Sequence, residues 1–238
     1  TYPVVPLSDI CEINAENKNP TLAFGDDEFI YIDISSVENG TGKVDFFNKI
    51  KGTDAPSRAT RALKKGDILF STVRPNLKAY GYVEREDCDC CVASTGFAVI
   101  SAKSMVLSKY VYYMLYSEPV QTQLSSMMGK GAYTSVNQKD VSQIQIPLPP
   151  LSIQEDFVAE LDSYQKIIDG ARQVVENYKP SIPISSSWEV IPLRNLCENL
   201  DSKRIPITSS NRGSGDVPCY GASGIVDYVK DYIFDEPL

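Results

Sequence analysis

Histidine is absent from all 238 residues. That removes from this chain the commonest metal ligand and every histidine-based catalytic triad. Long apolar runs are missing too: no uninterrupted stretch approaches the roughly 20 residues a membrane helix needs. The opening segment, Thr1 to Asn14, lacks the basic region and apolar block of a signal peptide, so a cytoplasmic protein without a membrane role is expected. Cysteine is present but poorly arranged for a metal. Of Cys11, Cys88, Cys90, Cys91, Cys197 and Cys219, only the three within Asp87–Cys91 cluster, without CxxC spacing or a distant partner pair. Reduced cysteines are the better reading, and no metal or cofactor is expected. No GxxxxGK[ST] loop occurs, so nucleotide-driven translocation is not encoded here. The acids Asp87 and Asp89, set among cysteines, match a magnesium-dependent nuclease site badly. No catalytic constellation emerges.

Apolar residues at 42% and charged residues at 23% are enough for a buried core. The net charge of −8 argues against a polyanionic partner when taken as a total. Local distribution matters more. Residues 1–150 carry 15 basic and 17 acidic side chains, whereas residues 151–238 carry 8 and 14. Between Lys49 and Lys78 lie eight basic residues against Asp54 and Asp67. Such a window is able to hold phosphates; from composition alone, an ordinary solvated face paired with distant acids is the better reading.

Periodicity divides the chain. A capped helix or turn is expected over Pro6–Ile13, with strands at Glu28–Ile34, Ile68–Thr72, Ala79–Val83, Cys91–Ala93 and Gly96–Ile100. Asn39-Gly40-Thr41-Gly42 supplies turn residues, and Lys64-Lys65-Gly66-Asp67 a tight turn. Two helices broken near Pro119 fit Lys109–Met128, and Ile144–Pro150 reads as a short alternating strand that proline stops. From Ile153 the apolar residues Ile153, Phe157, Leu161, Tyr164, Ile168, Ala171, Val175 and Tyr178 repeat at three and four, which predicts a helix of about 40 Å from Ser152 to Lys179. Either it is an isolated surface helix or its stripe meets another helix.

An internal repeat adds to this. Pro6-Leu7-Ser8-Asp9-Ile10-Cys11-Glu12 recurs as Pro192-Leu193-Arg194-Asn195-Leu196-Cys197-Glu198 at an offset of 186, so the chain reads as one full module, a long helix and the start of a second module.

With these pieces in order the sequence resembles the specificity (S) subunit of type I restriction–modification systems, over essentially its whole length. The resemblance is carried by Pro6–Cys11, by Gly66–Ser71 with Arg74-Pro75-Asn76-Leu77, and by Ser135-Val136-Asn137 with Ile146–Gln154. In the second module Val217–Tyr228 carries it. It implies an α+β fold: a strand-rich mixed target-recognition domain with helical insertions over 1–150, then a coiled-coil-forming spacer helix over 151–180. The opening of a truncated second recognition domain follows over 181–238. It further implies a non-catalytic subunit that reads double-stranded DNA for adenine-N6 methyltransferase (M) subunits and a restriction/translocase (R) subunit. Self-association through the spacer helix fits the same pattern. Neither Leu148-Pro149-Pro150-Leu151 nor Arg74-Pro75-Asn76-Leu77 supplies the polar–Pro–Pro–aromatic order that would hold a flipped adenine. The alternatives are an oligomerisation scaffold without a DNA role, and the recognition part of a methyltransferase fusion.

For DNA contact, Arg74 and Asn76 are the base-reading candidates, because arginine pairs bidentately with guanine and asparagine with adenine. Arg58, Arg61, Lys64, Lys65 and Lys78 are candidates for phosphates, and Lys130, Tyr133, Thr134 and Ser135 form a second candidate loop. Tyr220, Ser223 and Lys230 are weaker candidates. The helix–helix interface is expected at Ile153, Phe157, Leu161, Tyr164, Ile168, Val175 and Tyr178.

Overall fold

The computed structural model describes residues 2–128, 134–179, 185–203, 205–208, 210, 212–213, 215–221 and 224–233. The chain forms two units, Thr1–Tyr178 and Lys179–Leu238.

In the first unit the order is β1 (Val4–Pro6), α1 (Leu7–Ile10), β2 (Cys11–Ile13), α2 (Pro20–Phe24), β3 (Glu28–Ile32), β4 (Lys49–Lys51), β5 (Ala59–Ala62) and β6 (Ile68–Ser71). These are followed by β7 (Tyr80–Tyr82), β8 (Cys91–Ser94), β9 (Phe97–Ala102), α3 (Ser108–Tyr116), α4 (Glu118–Met127), α5 (Gln138–Ser142), β10 (Gln145–Pro147) and α6 (Leu151–Asn177). The architecture is the expected α+β, strand-rich with helical insertions and a long helix.

Two four-stranded sheets stack. One is antiparallel in the order β2-β9-β6-β7; the other, β4-β3-β8-β5, contains one parallel pair, Ile30–Ile32 against Cys91–Ala93. Successive strand residues point to opposite faces, and the packing follows that period. In β6 and β9, Leu69, Phe97 and Val99 join Ile30, Ile32 and Ala93 between the sheets. Ile68, Phe70, Ala98 and Ile100 face the helices with Leu7, Tyr110, Leu115 and Val120. Both faces of β6 are covered, so its four residues are all buried. A third cluster, Phe29, Tyr31, Ala59 and Val92, lies on the far face of the mixed sheet.

Several local expectations changed. The helix near the start is only Leu7–Ile10, because Cys11–Ile13 pairs with Ile100–Ala102 as a strand. The first expected strand stops at Ile32, where the Asp33 carboxylate caps a 3-10 turn through the Ser35 and Ser36 amides. Strands β4 and β5 escaped the sequence reading, since their basic residues mask a short alternating pattern. The break between α3 and α4 falls as expected: Pro119 lacks an N–H to continue a helix but fits the first turn of a new one.

Helix α6 spans 27 residues, about 40 Å, and its opening turns are fastened to the domain. Gln154 is fully buried; its side-chain carbonyl accepts from the Leu107 amide at 2.8 Å and its NH₂ donates to the Pro149 carbonyl at 2.8 Å. The Phe157 ring packs edge-on against Tyr110 with centroids 5.4 Å apart. Two turns beyond Gln154, the Asp162 carboxylate accepts from Lys109 Nζ at 3.0 Å and from the Tyr113 hydroxyl at 2.5 Å.

Burial pushes the Asp162 carboxyl up, but hydrogen bonds from Tyr113 and Lys109 and the lysine's charge outweigh it and hold the group below its ordinary value. A folded-state value below that of the unfolded chain means the carboxylate contributes stability above about pH 4 and loses it as pH falls through the folded value. Asp162→Asn is therefore expected to flatten the acid limb of a stability–pH profile and leave neutral pH less stable. Urea titrations between pH 3 and 7 check this; an unchanged acid limb would refute it.

In the second unit the repeated motif forms a 3-10 turn at Leu193–Asn195, and strands β11 (Val217–Gly221) and β12 (Gly224–Val229) make an antiparallel hairpin with an irregularity at Cys219/Tyr220. Leu7 and Ile10 of the first copy are buried, whereas Leu193 and Leu196 are exposed. The first copy is buried against strands from residues 97–102 and 145–147. The described residues of the second unit contain no equivalent of those strands.

Candidate nucleic-acid interface

Strand β6 organises the candidate residues by dividing them. Four extended residues cover about 13 Å, so the turn before β6 and the loop after it lie at opposite ends of one buried strand.

At the far end, after Ser71, the chain is held by a series of backbone bonds. The Thr72 amide and hydroxyl donate to the Gly96 carbonyl at 2.9 and 2.8 Å. Val73 bridges Ser135, the Arg74 amide donates to the Thr134 carbonyl at 2.8 Å, and the Thr134 hydroxyl donates to Asn76 Oδ1 at 3.1 Å. The loop after β6 and the segment at 134–135, read separately in the sequence, are thus one surface. Lys130 and Tyr133 lie outside the described residues.

Pro75–Leu77 is a 3-10 turn flanked by Arg74 at φ 48° and Lys78 at φ 55°, both left-handed. A side chain in that region costs about 1–2 kcal/mol, so tertiary contacts must hold it. The buried Tyr80 hydroxyl donates to the Pro75 carbonyl at 2.7 Å, and the Gly40 amide donates to the Lys78 carbonyl at 3.1 Å. Burial pushes the Tyr80 phenol up to about 12, which keeps it a donor at neutral pH. Strained backbone of this kind is concentrated at functional sites.

Arg58 and Arg74 line a common cleft of about 650 Å³ with Tyr31, Asp33, Ser35, Val37, Asn39, Val73 and Leu77, among others. The sequence offers no candidate in the segment Asp33–Asn39, where Asn39 reads only as a turn residue. A run of acids and serines before an NGTG turn carries no signal for ligand binding, and only the sheet order brings it beside Arg58.

Arg61, Lys64 and Lys65 stand apart from this surface. Arg61 Nη1 donates to Asn17 Oδ1 at 2.8 Å, Lys64 pairs with Glu16 and Lys65 with Glu86. Both lysines are exposed, with their charged state favoured by those carboxylate partners. Beneath them, Asp67 accepts from the Lys64 amide at 2.7 Å and the Ser101 hydroxyl at 2.6 Å, while burial pushes its carboxyl up. The basic window of the sequence is thus two patches, one already balanced by acids.

On α6, Ile153, Phe157, Tyr164, Ile168, Val175 and Tyr178 are all exposed to some degree, the last two by 76% and 70%, and Leu161 is half-buried. The helix meets its own domain through Gln154, Phe157 and Asp162, at the edge of the expected stripe. Tyr220 on the second unit's hairpin and Lys230 just after it are exposed, and Ser223 lies outside the described residues. Among the described residues no group of three or more Cys, Asp or Glu could hold a metal ion, and no helix is long and apolar enough to cross a membrane.

A family model described as the type I restriction modification DNA specificity domain matches residues 1–177. The chain belongs to this family. It is 27% identical over 176 residues to the type I restriction enzyme HindI specificity subunit of Haemophilus influenzae, covering 69% of this chain and 38% of that one. It is 25% identical over 165 residues to the EcoDI specificity subunit of Escherichia coli, covering 64% and 34%. It therefore spans little more than a third of the curated relatives it matches. Among solved structures, the HsdS subunit from Thermoanaerobacter tengcongensis is similar at 32% identity with a TM-score of 0.64, over 73% of this chain and 44% of that one. A chain from a study of complex assembly and conformational transition in the type I R-M system is similar at 26% identity and TM-score 0.67, over 92% and 60%. Within the specificity family, the matched module includes both the strand-rich domain and the whole of α6.

Proposed function

We propose that this chain is a sequence-specific DNA recognition subunit, itself non-catalytic, that directs adenine-N6 methylation and restriction by partner M and R subunits in the cytoplasm. The observation that carries the reading is the gathering of Arg58, Arg74, Asn76, Lys78, Thr134 and Ser135 around one end of β6, in a chain of the DNA specificity family. Phosphate contacts would fix register and base-edge contacts would read sequence. In this reading residues 1–150 recognise one half-site, 151–180 form the spacer helix and 181–238 open a second recognition domain. The exposed stripe of α6 supports a helical partner, either the matching helix of a second module or that of another copy.

The test is co-purification with a type I methyltransferase (M) subunit, with N6-methyladenine mapped genome-wide in cells with and without the chain. A bipartite methylated motif present only with the chain is the expected result. Methylation at unchanged sites in its absence would overturn the proposal, and self-association without DNA binding would favour the scaffold reading.

A further inference from the structure

The cleft at the end of β6 holds more polar groups than are free to meet a ligand, and accounting for each narrows the choice. Asp33 Oδ1 accepts from the Ser35 amide at 2.9 Å, the Ser35 hydroxyl at 2.6 Å and the Ser36 amide at 3.2 Å, so both Asp33 and Ser35 serve the turn. Glu38 accepts from the Thr41 hydroxyl at 2.6 Å. Ser94 is buried and accepts from the Gly96 amide at 3.2 Å. Arg74 is engaged in contacts of its own. Among the described residues lining the cleft, the Arg58 guanidinium, the Asn39 amide and the Tyr31 hydroxyl take part in no such bond, and of these Tyr31 is itself buried in the core on the far face of the mixed sheet.

We infer that Arg58 and Asn39 are the base-reading side chains of this cleft, with Arg58 taking the N7 and O6 acceptors of a guanine and Asn39 reading a neighbouring base. The inference rests on the proposed DNA-recognition role. A guanidinium presents only donors, and guanine alone offers two adjacent acceptors in the major groove. Arg58 is preorganised: its carbonyl accepts from the Thr95 amide at 2.8 Å, and its guanidinium lies over Gly96, where an added Cβ would come within 3.2 Å of Nη2. Asn39 is held by the same turn whose Gly40 amide binds the Lys78 carbonyl. Ile34, Val37, Val73 and Leu77 give the cleft apolar walls, which suit a base edge and a thymine methyl better than a hydrated phosphate.

A phosphate would offer Arg58 the same acceptor chemistry, so the experiment separates the two. Duplexes are selected from a random pool by the chain assembled with its methyltransferase subunits, using wild type, Arg58→Ala, Arg58→Lys and Asn39→Ala, each checked for folding by circular dichroism. Arg58→Ala is expected to relax the motif at one guanine and weaken binding of the consensus by about 5- to 150-fold. Arg58→Lys keeps the charge but not the fork, so it should bind more tightly than the alanine variant while the guanine stays relaxed. Asn39→Ala should relax a different position. Uniform weakening on all sequences with the motif intact, rescued by lysine, would make Arg58 a phosphate contact and overturn the inference. A motif unchanged in every variant would overturn it too, leaving the recognition role standing. A wild-type assembly that recovers no motif would overturn both.

Discussion

Gln154→Leu is expected to destabilise the chain by about 2–4 kcal/mol, read as a lower urea midpoint by circular dichroism. Leucine fills nearly the same space, so the loss comes from hydrogen bonding and not from a cavity. The glutamine carbonyl satisfies the Leu107 amide, at the start of α3, and its NH₂ satisfies the buried Pro149 carbonyl, just before α6. Removing a partner from a buried group costs about 1–3 kcal/mol for each group left unsatisfied. Gln154→Glu should fare no better, because a carboxylate cannot donate to Pro149 and its charge would be buried. Gln165, on the exposed part of the same helix, supplies the control: Gln165→Ala should fall within about 0.5 kcal/mol of wild type. Equal midpoints for Gln154→Leu and wild type would show that the joint does not depend on this side chain. Because α6 leaves the domain through this joint, the variant should also blur the spacing between half-sites in any bipartite motif.

Gly42→Ala is the second large effect. Gly42 has φ of +71°, and an added Cβ would fall 2.3 Å from both the Tyr80 carbonyl and the Tyr112 hydroxyl, and 2.8 Å from the Tyr116 hydroxyl. The left-handed backbone costs about 1–2 kcal/mol, and forcing extra volume into a packed site about 1–3 more, so a loss of about 2–5 kcal/mol is expected. Gly40 isolates the two contributions. It has φ of +77° with open space where its Cβ would lie, so Gly40→Ala should show the backbone cost alone. The difference between the two urea midpoints reads the clash. If the two variants were equally stable, the close approach of this turn to β7 would be wrong. Gly42→Ala should also shift Asn39, which sits in the same turn, and so degrade the recognition cleft beyond what the lost stability explains.

Local chemistry made much of this molecule readable before any coordinates. Short apolar runs at Ile68–Phe70 and Phe97–Ile100, each bounded by turn residues, marked strands buried on both faces. Pro119 marked the break between α3 and α4 because it has no amide to donate. The three-and-four spacing from Ile153 marked α6 because only a helix lines those residues on one side. Gln154 entered the sequence reading only through a family motif, since nothing about a lone polar residue in a helix announces burial. Strands β4 and β5 stayed hidden because their basic residues, Lys49, Lys51 and Arg61, break the apolar pattern that marked strands of the same length elsewhere.

By itself, the sequence determined the strand-rich domain, the long helix, the repeated motif and the membership of a DNA specificity family. All of these are patterns between near neighbours or ordered short motifs. Only the tertiary structure decided which charges act together. Summed along the chain, Lys49 to Lys78 is a single basic window, yet β6 carries Lys64 and Lys65 to one end, beside Glu16 and Glu86, and Arg74 to the other, beside Arg58 and Asn39. Those partners lie from about 16 to nearly 50 residues away in sequence. Electrostatic and hydrogen-bond partners depend on distance in space, and the strand pairings that set it are long-range contacts that no local pattern encodes.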